Sequence, residues 1–414
     1  MGFLDWIKGV FGTKPITRDV SKLDRDSSDP DQVREVVDLS GGPLKKNHRR
    51  RALRDRRLLP KKVEWDPKLR RKKQIMSAKE ADRLFAGTLR TKDRNIRDLL
   101  PDEAQLARYG LPMWRTESEL AAGLGISMDM LRHFAIHRAM ERANHYVSFA
   151  IAKRSGGERI IRAPKKRLKK IQRTVLRELV DKLPIHSAAH GFVRRRSVAT
   201  NARPHVGAQI MLKVDLKDFF PTITYGRVRG LLIALGYGYP VAAALAVLMT
   251  EAERQPVVIG DKTYHVPVGP RVTVQGAPTS PGVANAIVLK MDRRLDGIAR
   301  KLGFTYTRYA DDMTFSSKDK AAPVTKLLGS IRRIVDEEGF ALNADKTRTS
   351  RPARRMQVTG VTVNQVMGLS RPERRKMRAM KHQLEKAPDP KRQAQLEGKI
   401  AYLAMLNPEQ AKKI

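Results

Sequence analysis

Residues 307–317 read TRYADDMTFSS, and this stretch decides how the chain folds. Residues that favour strands run into and out of two adjacent aspartates. The pattern predicts a hairpin with Asp311 and Asp312 at its tip. Aspartate is a common turn residue, so the pair alone says little. A third carboxylate adds weight. Asp215 stands inside MLKVDLKDFFPTI (211–223), which reads as a buried strand that stops at Pro221. A carboxylate between Val214 and Leu216 is costly to bury unless a cation meets it. Three converging carboxylates without a His or Cys set suit hard, oxygen-preferring cations such as Mg²⁺. A pair of such ions is a common device for in-line displacement at phosphorus. One lowers the pKa of an attacking hydroxyl and the other neutralises the leaving pyrophosphate. Divalent metal thus compensates the repulsion between the aspartates.

The rest of the chain supplies the opposite charge. Its 414 residues carry 83 Lys+Arg against 43 Asp+Glu, a formal net charge of +40. Self-repulsion on that scale calls for an anionic partner, nucleic acid before membrane. No run approaches the roughly 18 apolar residues of a spanning helix, and VAAALAVLM (241–249) is too short. The start, MGFLDWIKGVFG, lacks the pattern of a signal peptide. Cysteine is absent, which excludes disulfides, thiolate metal sites and a cysteine nucleophile and fits a reducing cytoplasm. At 41% hydrophobic the chain can bury a sizeable core, and its length allows roughly two or three domains.

Residues 1–74 read as a basic, partly disordered arm. Its segment 45–73 holds 15 basic and 3 acidic residues, suited to a nucleic-acid backbone. Residues 75–140 have helical periodicity. Within them TESELAAGLGISMDMLRHFAIHR (116–138) has a capping-box start and the outline of a helix-turn-helix. Its second helix offers Asp129 and few basic groups, so packing or RNA contact by shape suits it better than base reading. YVSFAIAKRSGGERIIRAP (146–164) reads as a hairpin followed by a basic helix, and VQGAPTSPGVANAIVLKMDRRL (274–295) as a turn-rich lead into a helix. Gly276 permits close backbone approach, and Ser280-Pro281 starts a helix whose free N–H groups favour phosphate. Phe219 and Phe220 follow Asp215, where an aromatic wall can sense a sugar 2′-hydroxyl. Lys346 can protonate pyrophosphate as a general acid.

Taken in order, AKRSGGERIIRAP, HGFVRRRSVATNARPH, VDLKDFFPTI, QGAPTSPGVANAI, YADDMTF, GFALNADKTR and RMQVTGVTVN resemble the sequence blocks of reverse transcriptases, over about 140–370. The resemblance implies an α+β chain with the right-hand polymerase fold: fingers and palm at 141–367 and a helical thumb at 368–414. It implies that Asp215, Asp311 and Asp312 are catalytic metal ligands for two Mg²⁺ ions, with Leu216 giving a backbone oxygen. It implies Lys346 as the general acid, Phe220 as the sugar gate and Gln275 in the nucleotide pocket, with Lys153 and Arg159 holding the triphosphate of an incoming dNTP. NARPH (Asn201 to His205) and VTG (Val358, Thr359, Gly360) resemble signatures of retron reverse transcriptases, which implies RNA contact there. Arg371, Arg374, Arg375, Lys376 and Lys381 are further RNA candidates on the thumb.

The retron type implies an RNA-directed DNA polymerase that copies part of a cognate structured non-coding RNA into 2′-branched, RNA-linked single-stranded DNA. It implies an effector protein as partner and a place in anti-phage defence, with no membrane association. No family block matches the arm before about residue 75. No Cys or His cluster follows the thumb, which weighs against a group II intron-like or diversity-generating enzyme. From another class, a non-catalytic regulator would bind duplex DNA through residues 116–138 and be indifferent to Asp215.

Overall fold

The computed structural model describes residues 18–19, 100–135, 143–152, 158–259 and 262–414. Most of the basic arm, with its 45–73 segment, and Lys153 lie outside them. Among the described residues, the two-residue strand β1 (Arg18–Asp19) is followed by three short helices, α1 (Glu103–Arg108), α2 (Glu117–Leu124) and α3 (Met128–Ala135). The Thr116 hydroxyl caps α2 by accepting from the Glu119 amide, and Gly125 ends it in the left-handed conformation at φ 66°. The helix-turn-helix outline is therefore present in shape. Leu120, Leu124 and Leu131 are buried in the same core as Tyr237, Val241 and Leu245. This helix pair is a packed wall of the main body.

Strands β2 (Tyr146–Ala152) and β3 (Glu158–Pro164) form the expected antiparallel hairpin, with β1 on the outer edge of β2. The basic helix α4 (Lys166–Glu178) follows Pro164 and buries Leu168, Ile171 and Val175. After the short α5 (Val198–Ala202), strand β4 (Ile210–Lys217) becomes the centre of the largest sheet. Helices α6 (Tyr225–Ala234) and α7 (Tyr239–Met249) come next. Every residue of α7 but Pro240 is buried, which accounts for its unbroken apolar run. Among the described residues no helix is long and apolar enough to cross a membrane.

A second hairpin, β5 (Arg254–Ile259) with β6 (Lys262–Pro267), stands apart from the main sheet. Helices α8 (Ser280–Ile287) and α9 (Leu289–Lys301) lead into β7 (Thr305–Tyr309) and β8 (Asp312–Ser317). Then come α10 (Val324–Glu337), β9 (Ala341–Leu342), β10 (Arg348–Ser350) and the small hairpin β11 (Gln357–Val358) with β12 (Val361–Thr362). The main sheet runs β10-β4-β8-β7, with β9 also on β4, and its pairings are antiparallel. The chain ends in α11 (Arg371–Lys386), α12 (Pro390–Leu406) and α13 (Pro408–Lys412), where Met377, Leu384, Leu396 and Leu403 form a separate small core.

Candidate active site

The hairpin at 307–317 forms as its sequence suggests. Tyr309 pairs with Asp312, so Ala310 and Asp311 are a two-residue loop. Ala310 holds φ 57°, a left-handed conformation that costs a non-glycine residue about 1–2 kcal/mol. Loops with positive φ match the twist of the strands they join. Asp311 is thus at the tip and Asp312 is the first residue of β8.

The site depends on register. Asp215 on β4 lies directly across from Asp312 on β8. The Leu216 amide donates to the Asp311 carbonyl at 3.0 Å, drawing the loop onto β4. The Asn343 amide donates to the Asp215 carbonyl at 2.7 Å. Three residues distant in sequence are thereby held at one end of the sheet. The strand β4 is not buried throughout, contrary to what its sequence predicts. Met211, Leu212, Val214 and Leu216 are buried, whereas the side chains of Lys213 and Asp215 keep 31% and 16% of their exposure. Alternation leaves the Asp215 side chain partly open to solvent on that face.

Each flanking carboxylate has a lysine on it. Lys346 Nζ donates to Asp215 Oδ2 at 3.0 Å, and Lys213 Nζ lies 3.1 Å from Asp312 Oδ2. Asp311 has no such partner. Burial pushes its carboxyl above the usual range, and the Asp215 charge adds to the rise. Among the described residues no three His, Asp or Glu side chains are already gathered as a ligand set. The chemistry of the donors nevertheless fits hard divalent cations: oxygens only, on paired strands and the loop beside them, two with an ammonium group on them and the third with none.

Beneath the loop is a buried polar network absent from the sequence reading. Arg308 and Asp292 are both fully buried. Arg308 Nε and Nη2 donate to the two Asp292 oxygens at 2.8 and 2.7 Å, and Tyr306 Oη donates to Asp292 Oδ1 at 2.8 Å. Arg308 Nη1 donates to Asn285 Oδ1 and to the Ala310 carbonyl, both at 3.0 Å. Asn285 Nδ2 then donates to the Gly191 carbonyl at 2.9 Å. A Cβ on Gly191 would stand 2.6 Å from the Ala310 nitrogen, so only glycine lets this segment meet the loop. The strained Ala310 is fixed from several sides.

Other sequence candidates fall around this centre. Phe220 is half-buried beside the buried Phe219, ring centroids 5.4 Å apart. Its carbonyl accepts from Thr273 Oγ1 at 2.8 Å, which ties it to the segment before Gln275. The Gln275 carbonyl accepts from the Arg162 amide at 2.8 Å, and a Cβ on Gly276 would stand 2.7 Å from the Arg162 carbonyl. The close approach expected of Gly276 is thus to β3. Arg159 is exposed on β3.

The two signature segments meet each other. Asn201 Nδ2 donates to Thr359 Oγ1 at 2.7 Å. Thr359 and Gly360 both have positive φ, 49° and 83°, as the tight turn joining β11 to β12 requires. His205 bridges Ser316 Oγ and Thr307 Oγ1 at 2.6 and 2.8 Å, binding both strands of the aspartate hairpin. Burial, with the charges of His190 and Lys213, pushes His205 down to about 3, so the ring is neutral. Asn201, His205 and Val358 are buried, so these side chains act as an internal tie, while Thr359 is half-buried and Gly360 exposed. On α11 Arg371, Arg375, Lys376 and Lys381 are exposed, and Arg374 is half-buried.

Two carboxylates face each other across antiparallel strands, with a third at the adjoining loop and a basic chain around them. The reverse transcriptase (RNA-dependent DNA polymerase) family profile matches residues 151–363. The retron Mx65 reverse transcriptase of Myxococcus xanthus is 56% identical over 99% of this chain and 96% of its own. The retron Mx162 enzyme of the same organism is 44% identical over 75% of this chain and 68% of its own. The retron Ec86 reverse transcriptase of Escherichia coli is 32% identical over 68% and 81%. The chain belongs to the reverse transcriptases, and to their retron type. It is an RNA-directed DNA polymerase with the right-hand fold, it works on an RNA template, and its family uses divalent metal ions.

Proposed function

We propose that the chain copies part of its own cognate structured non-coding RNA into 2′-branched, RNA-linked single-stranded DNA, and that with an effector protein it serves anti-phage defence. The observation that carries this reading is the double tie of the signatures: Asn201 to Thr359, and His205 to both strands bearing the aspartates. A hairpin suited to one RNA is thereby coupled to the catalytic loop. The RNA face extends from Gly360 over an open cleft lined by Arg355, Arg371 and Arg374. In it Arg374 Nε, Gln410 Oε1 and Thr362 Oγ1 are buried without a hydrogen-bond partner, capacity that a bound RNA would use. Arg375, Lys376 and Lys381 continue the basic face along α11.

At the chemical centre Asp215, Asp311 and Asp312, with the Leu216 carbonyl, would hold two Mg²⁺ ions. These supply the charge that activates the attacking hydroxyl and neutralises pyrophosphate. Lys346, which donates to Asp215 Oδ2, would give the departing pyrophosphate its proton. Phe220 walls the sugar and selects deoxyribose, while Gln275, Arg159 and Lys153 enclose the incoming dNTP. In this reading 141–367 are fingers and palm, 368–414 thumb, 75–140 a helical platform and 1–74 the basic arm. The protein is to be purified from cells that express its neighbouring non-coding DNA, and the bound nucleic acid treated with RNase or DNase. RNA covalently joined to single-stranded DNA is the expected product. Duplex DNA alone, unaffected by chelator, would overturn the retron reading.

A further inference from the structure

Thr273 stands between two buried valines in VTV (272–274) and is itself 0% exposed. A third valine would fill that space as well, without the cost of burying a hydroxyl. The hydroxyl has a partner. Thr273 Oγ1 donates to the Phe220 carbonyl at 2.8 Å, and the Thr273 amide donates to the Ile223 carbonyl at 2.9 Å. One residue thus grips the turn 218–223 at two points. That turn joins β4, with Asp215, to α6, and it bears Phe220. It opens on Asp218 at φ 45°, a left-handed conformation uncommon for a residue with a Cβ. The Asp218 carbonyl accepts from both the amide and the hydroxyl of Thr222, at 2.9 and 2.8 Å. The Phe220 carbonyl accepts from the Ile223 amide at 3.0 Å as well as from Thr273. The Ile223 bond is internal to the turn, whereas the Thr273 bond ties the turn to another segment.

That segment has a fixed base of its own. Glu251 and Val272 exchange both backbone hydrogen bonds at 2.9 Å, and the Tyr225 amide donates to the Arg271 carbonyl at 2.8 Å. Arg271 Nη2 donates to the carbonyls of Val247 and Thr250, at 3.0 and 2.6 Å, where α7 ends. Two residues beyond Thr273, the Gln275 carbonyl accepts from the Arg162 amide of β3. Thr273 is therefore held from both sides, by α7 and by the β2–β3 hairpin, in the frame that also holds Gln275. A side chain that excludes a 2′-hydroxyl works only if it cannot retreat. Its selectivity depends on how firmly the backbone behind it is locked by packing and hydrogen bonds.

We propose that Thr273 is a positioning residue for sugar selection: its hydroxyl holds the Phe220 backbone so that the ring cannot withdraw from an incoming ribonucleotide. The inference rests on the reading of Phe220 as the sugar gate and adds the residue that makes the gate stiff. Being fully buried, Thr273 acts through Phe220 and not on the nucleotide.

The test is single-nucleotide extension of a primer on an RNA template by the full-length protein, with a dNTP or the matching rNTP, read as the ratio of the two kcat/KM values. That ratio does not depend on how much of a variant is folded, so a loss of stability alone leaves it unchanged. One internal hydrogen bond is worth roughly 2- to 10-fold. Thr273→Val keeps the shape and removes the hydroxyl, and it should lower discrimination against rNTP by that factor, chiefly through better use of rNTP. Thr273→Ala should lower it as well, and Thr273→Ser, which keeps the hydroxyl, should hold the wild-type ratio. Phe220→Ala should lower it further, and adding Thr273→Val to Phe220→Ala should lower it no more. Where Phe220→Ala admits rNTP but Thr273→Val keeps the wild-type ratio, the gate stands and this proposal is overturned. An additional loss in the double variant would also overturn it, because Thr273 would then act apart from Phe220. If Phe220→Ala itself keeps the wild-type ratio, the gate reading fails and this inference with it.

Discussion

Asp311→Asn is expected to abolish DNA synthesis on a primed RNA template, by roughly 10³-fold or more, while RNA binding persists. Several kcal/mol of charge stabilisation depend on that carboxylate holding its ion, and each 1.36 kcal/mol is tenfold in rate. The same change is expected not to lower the melting temperature in chelator. Burial and the Asp215 charge raise the Asp311 pKa in the folded chain. The folded state therefore holds that proton more tightly than the unfolded state, and stability falls as pH rises through the raised value. Above that value the charged carboxylate is a cost that the neutral amide removes. A thermal melt in chelator beside a primer-extension assay reads both effects. A variant that extended primers at the wild-type rate would remove Asp311 from the site.

Asp292→Ala is expected to destabilise the fold by about 3–5 kcal/mol, because Arg308 would be left charged and fully buried without its partner. Urea denaturation measures this directly, and an unchanged midpoint would contradict it. Asp292→Leu combined with Arg308→Met should recover much of the stability, since apolar side chains of similar volume often replace a buried ion pair at little cost. Synthesis should stay impaired in the double variant by roughly 10- to 100-fold, because the Ala310 carbonyl loses the donor that fixes the loop. Full activity in the double variant would make the pair structural only.

Much of this was open to the sequence because its signals are local. The 307–317 hairpin follows from strand-favouring flanks, and α2 from Thr116 and Gly125. Asp215 stands out as a carboxylate in an apolar run that reads as a buried strand. LKVDLK alternates, and Lys213 and Asp215 share the open face. The Asp215–Asp312 register is set by hydrogen bonds between strands nearly a hundred positions apart, which no local pattern encodes. Arg308 looked like any other of the chain's 83 basic residues, and nothing sequential pairs it with Asp292. The β5–β6 hairpin is not among the sequence expectations. Asn201 and Thr359 were noticed only through a family likeness, and their contact spans 158 positions. The chemistry was legible and the scaffold under it was not.

The central claim is that these aspartates jointly hold divalent ions, and metal binding measures it without reference to turnover. Mn²⁺ can be titrated into wild type and Asp311→Asn at neutral pH and followed by electron paramagnetic resonance. The account expects wild type to bind ions that the folded variant does not, with a matching loss in Asp215→Asn. Equal stoichiometry and affinity in all three proteins would contradict it.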